Sequence, residues 1–117
     1  MNILVCGSRE WSNKEVIRRI LSEYDPTQTK IIHGDCRGAD KLAGEIAEEL
    51  GMELDVYPAD WDNLGKKAGM IRNHKMLKHG KPDYVIAFAE NIEATKGTKM
   101  MVRMAVAARI HGRIVRR

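Results

Sequence analysis

The stretch that decides the fold is residues 2–7, Asn-Ile-Leu-Val-Cys-Gly, a short apolar run that ends at a glycine. Such a run predicts a buried strand followed by a loop. Residues 30–33 repeat the pattern and are closed by Gly34, and residues 83–88 are apolar over their last five positions. Strands that are apolar on both faces are typical of a parallel sheet covered by helices.

Helical periodicity alternates with these strands along the chain. It is clearest at residues 39–50, where apolar side chains recur every three or four positions and Gly51 follows as a stop signal. Ser12 and Glu15 have the spacing of a capping box, which predicts a helix over residues 13–24. The remaining pattern predicts strands at 53–58 and 113–116, a loop at 59–65, a helix at 66–79 and a last helix that opens at Gly97-Thr98 and ends at Gly112.

This alternation predicts an α/β fold with helices on both faces of the sheet. Five strands favour a doubly wound parallel sheet with the strand order 3-2-1-4-5. The chain contains no linker-like stretch and no internal repeat, so residues 1–117 are expected to form a single domain.

Composition excludes several classes of protein. Of the 117 residues, 44% are hydrophobic and 31% are charged, which is typical of a globular domain. The apolar runs are far shorter than the roughly 20 residues that cross a bilayer, so no membrane association is expected. Met1 leads directly into the first strand with no basic segment before it, which predicts a cytoplasmic protein. Two isolated cysteines form neither a disulfide framework nor a zinc site.

The charge distribution is uneven. The formal net charge is +4, yet no acidic residue follows Glu93, so the end of the chain is basic. This indicates an anionic ligand, a nucleic acid or an acidic partner. The alternative is a solubilising helix face followed by a basic tail that includes Arg116 and Arg117.

Two loops follow the first and fourth predicted strands, between which the strand order reverses. Ligands bind beyond the carboxyl ends of the strands at such a switch point. The loops contain Gly7-Ser8-Arg9 and Lys96-Gly97-Thr98, which combine glycines, hydroxyls and a helix N-terminus suited to a phosphate, while Arg9 suits bidentate pairing. The alternative is that both glycines only make turns and that Thr98 only caps its helix.

A third loop and one aromatic residue lie at neighbouring strand ends. The loop contains Gly34, Arg37, Gly38 and Asp40, of which the carboxylate can accept a hydrogen bond from a ligand hydroxyl or simply lie at the start of its helix. Trp61 can stack on a nucleobase or cover an edge of the core. No spacing matches a metal-ligand set, and the G-x-G-x-x-G and G-x-x-x-x-G-K-[ST] motifs are absent, so we expect no metal and no cofactor.

The order of these motifs resembles a known family. After the three loops come Ala59-Asp60-Trp61 and then residues 65–73, with the pattern G-K-x-A-G-x-I-R-N. The series is similar to the YspA-type, cpYpsA-related branch of the SLOG superfamily, named after the Smf DNA-processing and Lonely Guy proteins. The resemblance implies a Rossmann-like domain that binds nucleotides or nucleotide-derived ligands, in small bacterial and phage proteins suspected of roles in nucleotide signalling or phage–host conflict.

Two Lonely Guy motifs bear on catalysis. Those enzymes release a base from a nucleoside monophosphate with an arginine in R-K-x-x-M and a glutamate in P-G-G-x-G-T-x-x-E. Residues 72–76 are similar to the first motif, so the resemblance implies that Arg72 is catalytic or contacts the ligand beside Asn73, although an arginine on a helix is usually solvated. Met101 stands at the glutamate position, and Asp40, Glu90 and Glu93 remain candidates for a substitute carboxylate.

Three functions follow from this sequence. The first is a nucleotide-binding protein with the phosphate on the Gly7 and Gly97 loops, Asp40 at the ribose and Trp61 at the base. The second is a nucleoside-monophosphate N-glycosidic hydrolase of the phosphoribohydrolase type, and the third is a nucleic-acid-binding module. The resemblance also implies a homodimer or a higher homo-oligomer.

Overall fold

The computed structural model describes residues 1–116 and contains a five-stranded parallel sheet with the order β3-β2-β1-β4-β5. The strands are β1 (Asn2–Gly7), β2 (Lys30–His33), β3 (Glu53–Val56), β4 (Tyr84–Phe88) and β5 (His111–Val115). The helices are α1 (Lys14–Leu21), α2 (Ala39–Leu50), α3 (Trp61–Leu64), α4 (Ala68–Gly80) and α5 (Lys96–Ala107). The predicted fold class and strand order are confirmed. Arg117, the last residue of the predicted basic tail, lies outside the described residues.

β1 is the central strand, and the core is divided between its two faces. Ile3 and Val5 contribute to the cluster beneath α1 and α2, whereas Leu4 and Cys6 contribute to the cluster beneath α4 and α5. Because side chains alternate along a strand, a strand covered on both sides must be apolar at every position. This is the physical reason for the uninterrupted apolar run at residues 3–6.

The capping residue of α1 differs from the prediction. Asn13 caps the helix, with its Oδ1 accepting a hydrogen bond from the Val16 N–H at 3.2 Å, so the predicted capping box from Ser12 is wrong. Trp11 fixes this geometry because its Nε1–H donates to the Asn13 carbonyl at 2.9 Å. The helix ends at Leu21, three residues before the predicted end.

The segment predicted as a loop at residues 59–65 contains α3 instead. The Asp60 carboxylate accepts a hydrogen bond from the Asn63 N–H at 3.3 Å and so caps this short helix. A 3-10 turn, Gly65–Lys67, then leads into α4, which begins at Ala68 rather than at residue 66. The polar composition of the segment favours a loop, but capping by Asp60 stabilises a short helix instead.

Gly112 does not end the last helix. α5 ends at Ala107, and Arg109 reverses the chain with a φ of 60°. Gly112 lies in β5 opposite Val85, where an added Cβ would be 2.2 Å from the Val85 carbonyl oxygen. The glycine thus permits close approach of two strands, and β5 begins two residues before the predicted start. None of the helices in the described chain is long and apolar enough to cross a bilayer.

Candidate functional site

A cleft of about 490 Å³ opens at the carboxyl ends of β1 and β4, where the strand order reverses. Most of the predicted ligand-binding residues line it, namely Gly7, Ser8, Arg9, Asp40, Arg72, Asn73, Lys96, Gly97 and Thr98. Loops from both halves of the sheet meet there, as expected for an open parallel sheet.

The loop after β1 forms one wall of the cleft. An added Cβ at Gly7 would lie 2.3 Å from the Phe88 carbonyl oxygen and 2.6 Å from the Ala39 Cβ, so only glycine fits between β4 and α2. The Ser8 N–H donates to the same Phe88 oxygen at 2.9 Å. Arg9 is exposed at the rim and has no ion pair within residues 1–116.

The opposite wall is the N-terminus of α5. Thr95 is its N-cap residue, which corrects the alternative that Thr98 caps the helix. The Thr95 side chain does not cap, since its Oγ1 donates to the Asn91 carbonyl at 3.1 Å. The first-turn amides, from Lys96 to Thr98, therefore have no intrahelical acceptor. Around Gly97 an added Cβ would meet nothing within 4 Å, so this end of the helix is open to a ligand.

Asp40 lies on the floor of the cleft, in the first turn of α2, and is only 6% exposed. Its Oδ2 accepts hydrogen bonds from the Gly34 N–H at 3.0 Å and the Cys36 N–H at 3.4 Å. Burial raises the pKa of this carboxyl to about 6, although the two amides and the Arg72 charge act in the opposite direction. Burial and the nearby Asp40 charge also raise the pKa of the Cys6 thiol.

Arg72 is half-buried, so it is not a fully solvated residue of α4. Its Nη1 donates to the Gly34 carbonyl at 2.7 Å, and its Nε donates to the Asn73 Oδ1 at 2.8 Å. The Gly34 residue thus donates to Asp40 through its N–H and accepts from Arg72 through its carbonyl. An added Cβ at Gly34 would lie 2.4 Å from the Arg72 Nη1, so a side chain at this position would displace the Arg72 guanidinium.

A second hollow of about 290 Å³ adjoins the cleft and shares Arg9, Cys36 and Arg72 with it. Trp61 lines this hollow and is 48% exposed, so the alternative that it covers the core edge does not hold. Its ring packs over Gly69, with Cη2 3.3 Å from the position of an added Cβ. An exposed aromatic face beside a cationic side chain can stack on a planar group.

Two other predicted residues of the third loop have different positions. Arg37 lines the second hollow at its rim, where its Nη2 donates to the Glu10 carboxylate at 2.8 Å. Gly38 lines neither the cleft nor the hollow. Its φ is 80°, and an added Cβ would lie 2.4 Å from the Ser8 carbonyl oxygen, so this glycine holds two loops together.

Sequence reasoning missed two polar residues of the cleft. Glu10 follows directly on Gly7-Ser8-Arg9 and places a carboxylate at the rim, but no motif marks it. Thr95 lines the cleft as the N-cap of α5, and its position before a helix start is the only signal in the sequence. Cys6 and Cys36 both line the cleft, and both thiols are free.

Comparison with known proteins gives two matches. Residues 1–63 match the YspA, cpYpsA-related SLOG family. The chain is also similar to the Gene 61 protein of Mycobacterium phage D29, with 32% identity over 116 residues, which covers 92% of this chain and 90% of that protein. No solved structure matches the chain. The family match spans more than half of the sequence, from β1 through α2 into α3, and the chain therefore belongs to the YspA, cpYpsA-related SLOG family.

Proposed function

We propose that this protein binds a nucleotide or a nucleotide-derived ligand in the cleft between β1 and β4. The observation that carries the proposal is the meeting of the Gly7 loop, the N-terminus of α5 and Arg72 around one cavity. Membership of the SLOG family supports a nucleotide-related ligand.

The phosphate site of this proposal lies between the two walls. Free backbone amides at the start of α5 and the positive end of its dipole favour an anion. Arg9, exposed and without an ion pair within the described chain, is available for a bidentate contact.

The rest of the ligand extends from the phosphate toward Trp61. Asp40 is the acceptor nearest the floor and suits the ribose hydroxyls, because its carboxylate is held by two backbone amides. Beyond it, the hollow beside Trp61 suits the base, which would stack on the exposed ring. Arg72 lines both cavities, so it can contact the ligand at their junction.

Calorimetric titration with the common nucleoside monophosphates tests this proposal. We expect Arg9→Ala and Arg72→Ala each to weaken binding by about 1.5–3 kcal/mol, the range for hydrogen bonds to charged groups. Arg19→Ala is the matched control, since Arg19 is an exposed arginine of α1 that does not line the cleft. Unchanged affinity in both cleft variants would contradict the proposed phosphate site.

A second candidate function is hydrolysis of the N-glycosidic bond of a nucleoside monophosphate. The observation that favours it is the burial of Asp40 in the cleft near Arg72, while neither Glu90 nor Glu93 lines that cavity. In this reaction the bond between C1′ and the base nitrogen breaks, and its electron pair leaves with the base. A water oxygen bonds to C1′, and the water proton passes to the Asp40 carboxylate and then to the base. A carboxyl with a pKa of about 6 suits such proton transfer near neutral pH.

A measurement of base release distinguishes nucleotide binding from hydrolysis of the N-glycosidic bond. The protein is incubated with each nucleoside monophosphate, and free base is measured by liquid chromatography. Release by the wild type that is lost in Asp40→Asn, with ligand affinity retained, would establish the hydrolase. Binding without release from any nucleotide would leave the binding function alone.

The phage relative bears on biological context. The Gene 61 protein comes from a mycobacteriophage and matches along nearly its full length. We therefore propose that the cleft recognises a nucleotide used in signalling or in conflict between phage and host.

A further inference from the structure

Two segments of this chain carry opposite charges of the same size. Residues 42–65 contain seven acidic residues and no lysine or arginine, and residues 94–117 contain seven basic residues and no acidic residue. Residues 66–82, which lie between them, contain six further lysine and arginine residues and no acidic residue. The longest stretch with acidic charge alone therefore lies at residues 42–65.

The strand order places these two segments at opposite ends of the sheet. β3 and the end of α2 belong to the acidic segment, and β5 and all of α5 belong to the basic segment. β3 and β5 are the two edge strands, so each has one side with no neighbouring strand in the sheet. Such edges can accept another chain unless charge or covering prevents it. We call these ends the acidic edge and the basic edge.

Some of the charges at both edges form no salt bridge within the described chain. At the acidic edge, Glu48 and Glu53 are exposed and form no salt bridge within residues 1–116. At the basic edge the same holds for Arg103 and Arg109. These side chains remain available for contacts with another molecule.

The basic edge also has an apolar groove of about 240 Å³ between α5 and β5. Two small residues, Gly112 and Ala105, line this groove. Val106 and Ile114 also line it and are 68% and 44% exposed. At the acidic edge, Val56 on β3 is 40% exposed. Apolar side chains surrounded by charge are typical of the centre of a protein interface with a polar rim.

We propose that copies of this protein associate head to tail, with the acidic edge of one copy packed against the basic edge of the next. A symmetric contact between two basic edges would bring like charges together, which costs free energy. Nucleic acid fits the basic edge less well, because the groove is lined by aliphatic side chains and contains no aromatic residue for stacking. A second copy supplies both the acidic charge and the exposed aliphatic surface.

This contact uses different surfaces on the two molecules. Such heterologous contacts do not stop at a dimer but produce open chains or closed rings. Since the attraction is electrostatic at the rim, salt should weaken it. The inference is independent of the proposed nucleotide site, which lies at the carboxyl ends of the central strands.

Sedimentation velocity of nuclease-treated protein tests the proposal. At about 0.05 M salt we expect species larger than a dimer that grow with protein concentration, and at about 0.5 M salt we expect monomer. Monomer at every concentration in low salt would overturn the proposal, as would a dimer that does not grow or an association that salt does not change.

Complementary variants make the test specific. Ile114→Glu places a carboxylate at the basic edge, and Val56→Lys places an amine at the acidic edge. We expect each variant alone to lose association, because the introduced charge repels the intact edge of its neighbour. An equimolar mixture should associate again, because the intact acidic edge of one variant meets the intact basic edge of the other and the introduced carboxylate can pair with the introduced amine. A mixture that stays monomeric contradicts the head-to-tail arrangement.

Two further variants control for folding and for site. Val106→Asp repeats the test at the most exposed position of the groove, should circular dichroism show that Ile114→Glu is unfolded. Met70→Glu changes a side chain of α4 with 44% exposure, outside both edges, and should leave association unchanged. If Met70→Glu lost association as strongly as Val106→Asp, the basic edge would not be the contact surface.

Discussion

At the scale of single residues, two glycines in the cleft have opposite surroundings. An added Cβ at Gly7 would meet backbone and a buried methyl group, whereas at Gly97 it would meet nothing within 4 Å. We expect Gly7→Ala to lower the free energy of unfolding by about 2–3 kcal/mol through overpacking. Gly97→Ala should raise the free energy of unfolding by about 0.5 kcal/mol. Gly97 lies in a helix, and alanine loses less conformational freedom than glycine when a helix forms. Urea unfolding of both variants measures these changes, and equal effects would contradict the packing described for Gly7.

Asp40 should make stability depend on pH. The pKa of Asp40 is about 6 in the folded protein and about 4 in an unfolded chain. Between these pH values the folded state therefore binds more protons than the unfolded state. The contribution of this residue to stability therefore rises as pH falls from about 7 to about 4.

Comparison with Asp40→Asn isolates the Asp40 contribution. His33, whose pKa is lowered by burial, contributes the opposite trend in both proteins. Relative to the variant, the wild type should gain about 2–3 kcal/mol in the free energy of unfolding across that range, since one pKa unit corresponds to ~1.4 kcal/mol. Parallel stability curves for the two proteins would show that folding does not raise the pKa of Asp40.

At the scale of elements, the N-terminus of α5 combines a missing cap with an open anion site. Thr95→Asp should cap the helix and raise the free energy of unfolding by about 0.5–1 kcal/mol. The added carboxylate should at the same time weaken nucleotide binding at least ~10-fold by repelling the phosphate. Thr95→Asn is the matched control, because it caps without a charge and should stabilise while leaving most of the affinity. Equal loss of affinity in both variants would mean that the side chain, and not its charge, disturbs the site.

The elements also show what sequence reasoning could predict. β2 and α2 have the predicted bounds, because an apolar run and a regular helical face are local signals reinforced by burial. The capping residue of α1 and the existence of α3 are predicted wrongly, since each depends on which of several polar side chains reaches a backbone amide. The sequence predicts a helix stop at Gly112, because the real constraint on this glycine, the Val85 carbonyl of a neighbouring strand, is distant in sequence.

At the scale of the whole molecule, the sequence predicts where the candidate site lies in the fold but not which side chains contact each other there. The strand order brings the Gly7 and Gly97 loops to one switch point, and that followed from periodicity alone. The Gly34 link between Asp40 and Arg72 joins a loop after β2 to the middle of α4. No spacing in the sequence specifies it, because it depends on how α4 packs on the sheet.

The position of the cleft predicts how a ligand should affect global unfolding. A nucleotide held by the Gly7 loop and the N-terminus of α5 would join β1 to the β4–β5 half of the sheet. Binding to the native state alone stabilises it by about 2.7 kcal/mol at a ligand concentration 100 times Kd. For a domain of this size that corresponds to a rise in Tm of roughly 10 °C.

Thermal unfolding with and without nucleotide checks this coupling. Arg72→Ala should lower the Tm without ligand, because the Gly34 carbonyl and the buried Asn73 Oδ1 lose their donor. Measured from that lower starting value, the variant should also lose most of the rise in Tm that the nucleotide causes. Hydrogen exchange should show added protection in both β1 and β4. Protection confined to one half of the sheet would mean that the ligand does not span the switch point, and the phosphate would then have to be held by one loop alone.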